Sequence, residues 1–471
     1  MRRIRLSRRV VGMLATAVAL GSAAGCTPAA GTQWPLGSPV GITILSGSDT
    51  SVSPGSPPVL PDENGMYQQL VNYWNAYEAK IYGFSVTLDV VPGGATAAHS
   101  EMLAAAQNHG KHYDIYNLDN QWVSEFADGG YIRPLQGMVN TSRFLTGPLR
   151  SAEDASGQLY AVPFTTDVGL LYYRSNFVGA AEVKSLHSFQ AMISLARSEM
   201  LQHPEVSEGY AGQFASYEGL TVNTLEAIWK NDNDPAAFAS DGTIQDTAAV
   251  THGLKDLADA FAPGQTGRPV VPLAELYYHE PQDFQDFATG KTIFMRNWPI
   301  YYEQLAAGSP GTVPLNEVGV ASLPFPSALG GQDLAIASSS PNPRQAREVI
   351  DFLTSASAER CLFAVGGFPA TRASAYAPGN WLPPDPISNQ PLCGKKAGVS
   401  VNIGPEIKAA LSTAIPRPTT RYYTEFTTLL QNQVWNMLFQ ASQRDATGSG
   451  VATVVSGLTA DLRAAAAGNA P

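Results

Sequence analysis

The stretch Gly290-Lys-Thr-Ile-Phe-Met-Arg-Asn-Trp298, closed by Pro299, decides how this chain is read. Ile293, Phe294 and Met295 form a run suited to a buried strand, and the run stops at a polar residue and a large aromatic. A strand ending in Asn297, Trp298 and a proline reads as the floor of a binding cleft. The indole offers a broad apolar face for a sugar ring and one N–H donor.

Outward from that stretch, strands and helices alternate. Gly41-Ile-Thr-Ile-Leu45 reads as a first strand, and residues 47–65 as a long loop rich in Ser, Pro and Gly. Tyr67, Leu70, Val71, Trp74 and Tyr77 recur at helical spacing. Phe84, Val86, Leu88 and Val90 alternate as in a strand, and Tyr113–Tyr116 forms another. A second unit begins after Val168-Gly-Leu-Leu-Tyr-Tyr173, with helices expected around 186–200, 220–229 and 247–261. Residues 318–323 and 334–337 return to strand character, and Asn342-Pro343 opens a helix. The last long helix carries Tyr422, Phe426, Leu430, Val434 and Leu438 on one face. This alternation defines an α/β class with a mostly parallel sheet. Ligands sit beyond the C-terminal strand ends of such sheets, which places Ser46–Ser48, Asn117–Trp122 and Asn297–Trp298 along one edge.

The 471 residues are enough for two to three domain-sized units, with 44% hydrophobic and 15% charged residues. The net charge is −11, although five arginines (Arg2, Arg3, Arg5, Arg8, Arg9) crowd the N-terminus. Without residues 1–25, 24 basic side chains face 40 acidic ones, a net charge of −16. That balance argues against a nucleic-acid or anionic-membrane surface, which needs a basic patch.

Residues 1–25 read as a signal peptide: a basic start, the apolar run Val10–Leu20, and small residues Ala23-Ala24-Gly25 before Cys26. The Ala-Gly-Cys ending resembles a bacterial lipobox, so Cys26 is expected to be lipidated and residues 26–39 to form a tether. Ala23 stands where the lipobox usually has Leu. Ser7-Arg8-Arg9 leaves the twin-arginine export route open beside the general one. Outside the cytoplasm the remaining pair, Cys361 and Cys393, is expected to be a disulfide, with two separate thiols as the alternative.

There is no phosphate-binding loop, His-Glu-x-x-His, Cys-x-x-Cys or nucleophile elbow. No cofactor or metal is therefore expected.

Six segments, in order, carry a family resemblance: Tyr113–Ala127, Ala161–Arg174, Tyr217–Glu226, the opening stretch, Gly330–Ile336 and Arg417–Tyr422. Together they resemble the family 1 extracellular solute-binding proteins of sugar ABC importers, and within them the trehalose/maltose-binding branch. The resemblance implies a periplasmic-binding-protein-like fold of two α/β lobes, closing on a sugar by a hinge. It implies a permease and an ATPase as partners, a monomer held to the membrane only by its lipid, and no chemistry in the chain. The first lobe is expected from residues 40–170 and 297–354, the second from 171–296 and 355–471.

Carried over, Asp119 accepts sugar hydroxyls or caps the following helix. Asn120, Thr165, Tyr217 and Glu218 contact the sugar, and Asp167 is a contact or a hinge carboxylate. Trp298 stacks on a sugar ring or packs in the core, and Gly331 lets the backbone approach the ligand. Arg417 makes a forked contact to hydroxyls, braces Asp119 or forms a lobe-closing salt bridge. Ser46, Ser48 and Asp49 reach in from the first strand, while Lys291 and Arg296 are scaffold. Two departures fall at the expected sugar: Gln332 replaces a family tryptophan, and Thr165 an asparagine. The resemblance implies a disaccharide such as trehalose or maltose. Other classes left open are a glycoside-active enzyme using Asp119 with Glu218 or Asp167, and a sensing or adhesion lipoprotein.

Overall fold

The computed structural model describes residues 41–48, 65–92, 94–108, 112–154, 156–229, 237–263, 267–379, 382–393, 397–443 and 448–469. The signal peptide, Cys26, the tether and Asp49 lie outside the described residues. No helix among the described residues is long and apolar enough to cross a membrane.

The strands are β1 (Ile42–Gly47), β2 (Val86–Val91), β3 (Ile115–Asp119), β4 (Ala161–Asp167), β5 (Leu170–Arg174), β6 (Glu208–Ala211), β7 (Thr292–Asn297), β8 (Val318–Ser322), β9 (Ala328–Ile336) and β10 (Ile415–Pro416). They form two sheets. The first runs β10-β9-β3-β1-β2, with β4 paired to β9, and the second runs β6-β7-β5-β8. β1 is parallel to β2 and β3, whereas β9 is antiparallel to β3 and β4. Each sheet has its own apolar core. One is built around Ile44, Leu70, Trp74, Ile115, Phe126 and Ile350, the other around Tyr210, Leu225, Leu257, Phe261, Ile293 and Leu430. This is the two-lobed α/β architecture expected, but the sheets are mixed rather than mostly parallel, because the strands β4, β5, β7, β8 and β9 around the crossings pair antiparallel.

The chain crosses between lobes where β4 leads into β5 and again where β8 leads into β9. These crossings correct the expected lobe limits. The segment after Trp298 stays in the second lobe, because β8 pairs with β5, and the chain returns only at β9. The helix Ala356–Gly366, expected in the second lobe, packs Cys361, Leu362 and Val365 into the first core. Its Phe363 joins a third cluster behind the crossings, with Val168, Tyr172, Met295, Tyr376 and Ile407. The second lobe is rejoined at Ile415 and completed by the helices Tyr423–Gln443 and Gly448–Ala466.

Cys361 and Cys393 are disulfide-bonded with their Cα atoms 5.9 Å apart. The bond ties the helix 356–366 to the loop that follows it. In the chain-entropy model a loop of this length contributes about 3.7 kcal/mol.

Candidate functional site

A cavity of about 710 Å³ lies between the lobes, within the usual range of small-molecule sites. One wall comes from the first sheet. The β3–β9–β4 register sets Asp119 and Thr165 beside Gln332, Thr166 beside Gly331, and Asp167 beside Gly330. The other wall comes from the second lobe: Tyr217 and Glu218 where the helix Glu218–Ile228 begins, Glu280 where Glu280–Ala288 begins, and Trp298 after β7. Asn297–Trp298 therefore does not share an edge with Ser46–Ser48 as expected. It faces the first sheet from across the cleft.

Arg417 joins the walls. Its side chain is 4% exposed and donates to Asp119 Oδ1 (2.8 Å), to Asn120 Oδ1 (3.0 Å) and to Glu218 Oε1. Glu218 also accepts from the Tyr423 hydroxyl and from Thr427 Oγ1 (2.8 Å). Burial opposes the charge on Arg417, but Asp119, Tyr423 and Glu218 outweigh it and hold its pKa above the usual arginine value. Burial raises the Glu218 carboxyl, with Arg417 pulling against it. The capping role expected of Asp119 is present, beside a bond to Arg417. Oδ1 caps the turn by accepting from Gln121 N (3.1 Å) and also receives Arg417, which leaves Oδ2 for a ligand hydroxyl.

Trp298 is half-buried, and its indole N–H donates to Glu280 Oε1 (3.3 Å). The Arg296 guanidinium covers the ring, 3.8 Å from its centroid. The ring lines the cavity as well, so a face remains for a ligand. Tyr217 packs on His279 with ring centroids 4.0 Å apart. Burial, and then Glu280, push the Tyr217 hydroxyl well above its ordinary pKa, so it stays a donor. Asp167 lines the cavity at the end of β4 and accepts from Val168 N (3.0 Å), which puts it on the crossing itself.

Three expectations need correction. Ser46 is fully buried and does not line the cavity; it donates to Gly47 O and accepts from Asn117. Asn120 lies behind the wall, bonded to Leu329 O, Gln121 and Arg417, and so braces the arginine. Gly331 lines the cavity, but its close approach is to protein. Its φ is +129°, and a Cβ there would come 2.3 Å from the Thr165 carbonyl oxygen. The tight β4–β9 pairing, rather than ligand access, demands glycine. Ser48 does line the cavity. Lys291 pairs with Asp286 on the far side of the second lobe, as scaffold.

The two departures from the family pattern prove to be partners: the Thr165 hydroxyl donates to Gln332 Oε1. We expect Thr165→Val and Gln332→Ala to weaken ligand binding non-additively, with a coupling of about 1 kcal/mol in a double-mutant cycle read by calorimetry. Full additivity would show that they act apart.

Sequence reasoning missed Glu280, Tyr301 and Glu303, which also line the cavity. Tyr301 was within reach, since it lies one helical turn beyond Trp298 on the helix Ile300–Ala307. Glu280 carries only a helix-start signal, Pro281, and nothing in sequence links it to Trp298.

Two lobes, three crossings and a polar, aromatic-lined cleft between them define a protein that captures a small solute. The chain belongs to the bacterial extracellular solute-binding protein family, whose model matches residues 61–360. A probable ABC transporter-binding protein of Deinococcus radiodurans is 27% identical over 317 residues, 63% of this chain and 71% of that protein. Among solved structures, maltose-bound MalE3 of T. maritima superposes with a TM-score of 0.67 at 24% identity, over 89% of this chain and 99% of that one. The GacH receptor of Streptomyces glaucescens, solved unliganded and with acarbose, gives 0.63 at 19% identity, over 90% and 99%. At these identities the structures speak for the fold. The family's members are binding proteins that work outside the cytoplasm.

Proposed function

We propose that this chain is the substrate-binding lipoprotein of an ABC sugar importer. It captures a disaccharide, an α-glucoside of the trehalose or maltose kind, and delivers it to a permease driven by an ATPase. It acts as a monomer tethered through a lipid on Cys26. The observation that carries this reading is the meeting at one cleft of an indole, Trp298, and two carboxylates, Asp119 and Glu218, held by Arg417. Sugar rings present apolar faces to aromatic rings and hydroxyls to carboxylates. MalE3 was solved with maltose and GacH with acarbose, which supports a sugar as the ligand.

The Arg417 bridge also opposes the glycosidase alternative. A glycosidase needs one carboxyl free to give a proton and another free to attack or activate water. Here Asp119 and Glu218 each hold the same guanidinium, which opposes the pairing of those two; Asp167 is not part of the bridge.

A thermal-shift panel of mono- and disaccharides on residues 27–471 tests the proposal. Trehalose or maltose at 100 times its dissociation constant should stabilise the protein by about 2.7 kcal/mol. A panel without any stabilising sugar, or glucose released during incubation, would overturn it.

A further inference from the structure

Arg296 breaks the apolar pattern of β7, and it is fully buried. Its Nε donates to Glu226 Oε2 (2.9 Å) and its Nη2 to Glu226 Oε1 (2.8 Å), a forked pair closed off from water. Nη1 donates to Gln213 Oε1 (3.1 Å). The guanidinium lies on the Trp298 ring and against Gly169, where a Cβ would come 2.6 Å from Nε. Such a planar cation can satisfy a carboxylate and stack on an indole at once, which lysine cannot.

Glu226, on the helix Glu218–Ile228, does more than neutralise Arg296. Its Oε1 accepts from Ser327 Oγ (3.0 Å) and from Ala328 N (3.0 Å), both on the second crossing. Ser327 Oγ in turn accepts from Gly169 N (2.6 Å), on the first crossing. One carboxylate therefore gathers the first two crossings and the cation that backs the indole.

We propose that Arg296 and Glu226 are positioning residues for ligand capture: the pair fixes the Trp298 ring and fastens it to the hinge, so that stacking on the ring and setting of the lobes are linked. The inference rests on the proposed function, in which Trp298 holds the ligand. It goes beyond it by assigning the ring's orientation to two buried residues that do not touch the ligand.

The test is a double-mutant cycle by calorimetry, with the stabilising sugar of the panel as probe. Arg296→Lys and Glu226→Gln preserve size and are checked for folding by melting and far-ultraviolet circular dichroism. Each is expected to weaken binding roughly tenfold with Trp298 present. In the Trp298→Ala background the same changes should alter affinity less than twofold, because their route to the ligand is gone. A purely structural role would lower the melting temperature, leave the affinity of the folded protein unchanged, or add fully to Trp298→Ala; either affinity result overturns the proposal. Should Glu226→Gln not fold, Arg296→Lys carries the cycle alone. Should the wild type bind no sugar, the sugar reading falls and this inference falls with it. If it binds and Arg296→Lys binds equally well, this inference alone is lost.

Discussion

Arg417→Met is expected to cost about 3–5 kcal/mol of stability near neutral pH and to abolish sugar capture. Removing one member of a buried ion pair strands the other charge away from water, and here two carboxylates are stranded together. Asp119 belongs to the first lobe and Glu218 to the second, so their repulsion would act directly on the cleft. The pH dependence follows from Glu218. Its carboxyl is already raised by burial, against the pull of Arg417, and loss of the arginine raises it further. A carboxyl raised in the folded state supports stability below its unfolded-state pKa and loses that support as pH climbs through the folded value. The deficit of Arg417→Met should therefore be smaller near pH 5 than near pH 7.5. Adding Glu218→Gln should recover part of the stability and none of the binding. Urea unfolding at the two pH values measures the first effect and calorimetry the second. Native stability together with native affinity in Arg417→Met would show that the bridge is incidental.

Those two carboxylates are readable in the sequence because each sits in a motif with local cues: a strand end before a turn for Asp119, a helix start for Glu218. Their shared partner is readable only as a set of alternatives, since the sequence points Arg417 to the ligand, to Asp119 or to a lobe-closing salt bridge, and it makes the last two. Local signals report element type, and the two-lobe α/β class follows from strand–helix alternation. They do not report which sheet a strand joins. β8 and β9 are separated by five residues and look alike in composition, yet one pairs with β5 and the other with β3 and β4. Their placement depends on the crossing between them, a long-range fact, and so the expected lobe limits fail there. Ser46 and Asn120 fail for a different reason. A polar residue at a strand end suits a ligand equally well as it suits a buried hydrogen bond, and Asn117 and Arg417 have already claimed them. Arg296 reads correctly as scaffold, but its partner Glu226 lies 70 positions away. The disulfide is legible because compartment and cysteine count leave little choice.

Trp298→Ala should weaken sugar binding roughly fifty- to hundredfold and leave the fold intact. Stacking a sugar ring on an indole removes about 100 Å² of apolar surface from water, worth about 2.5 kcal/mol. Gln332, which stands where the family pattern has a second tryptophan, is bonded to Thr165 instead and offers no second indole face. The loss should therefore be larger here than where two indoles share the ligand. The fold should tolerate the change, because the ring is half-buried at the edge of its core and Arg296 keeps its forked bond to Glu226. Trp298→Phe separates the ring from its N–H. It keeps an aromatic face, loses the donor to Glu280, and should cost only a few-fold. The order wild type, Phe, Ala in affinity, with equal melting temperatures in the absence of sugar, identifies stacking as the main source of the ring's contribution to affinity. A Phe variant as weak as the Ala variant would instead make the Trp298–Glu280 hydrogen bond the feature that shapes the site. Unchanged affinity in Trp298→Ala would remove the indole from the binding reaction altogether.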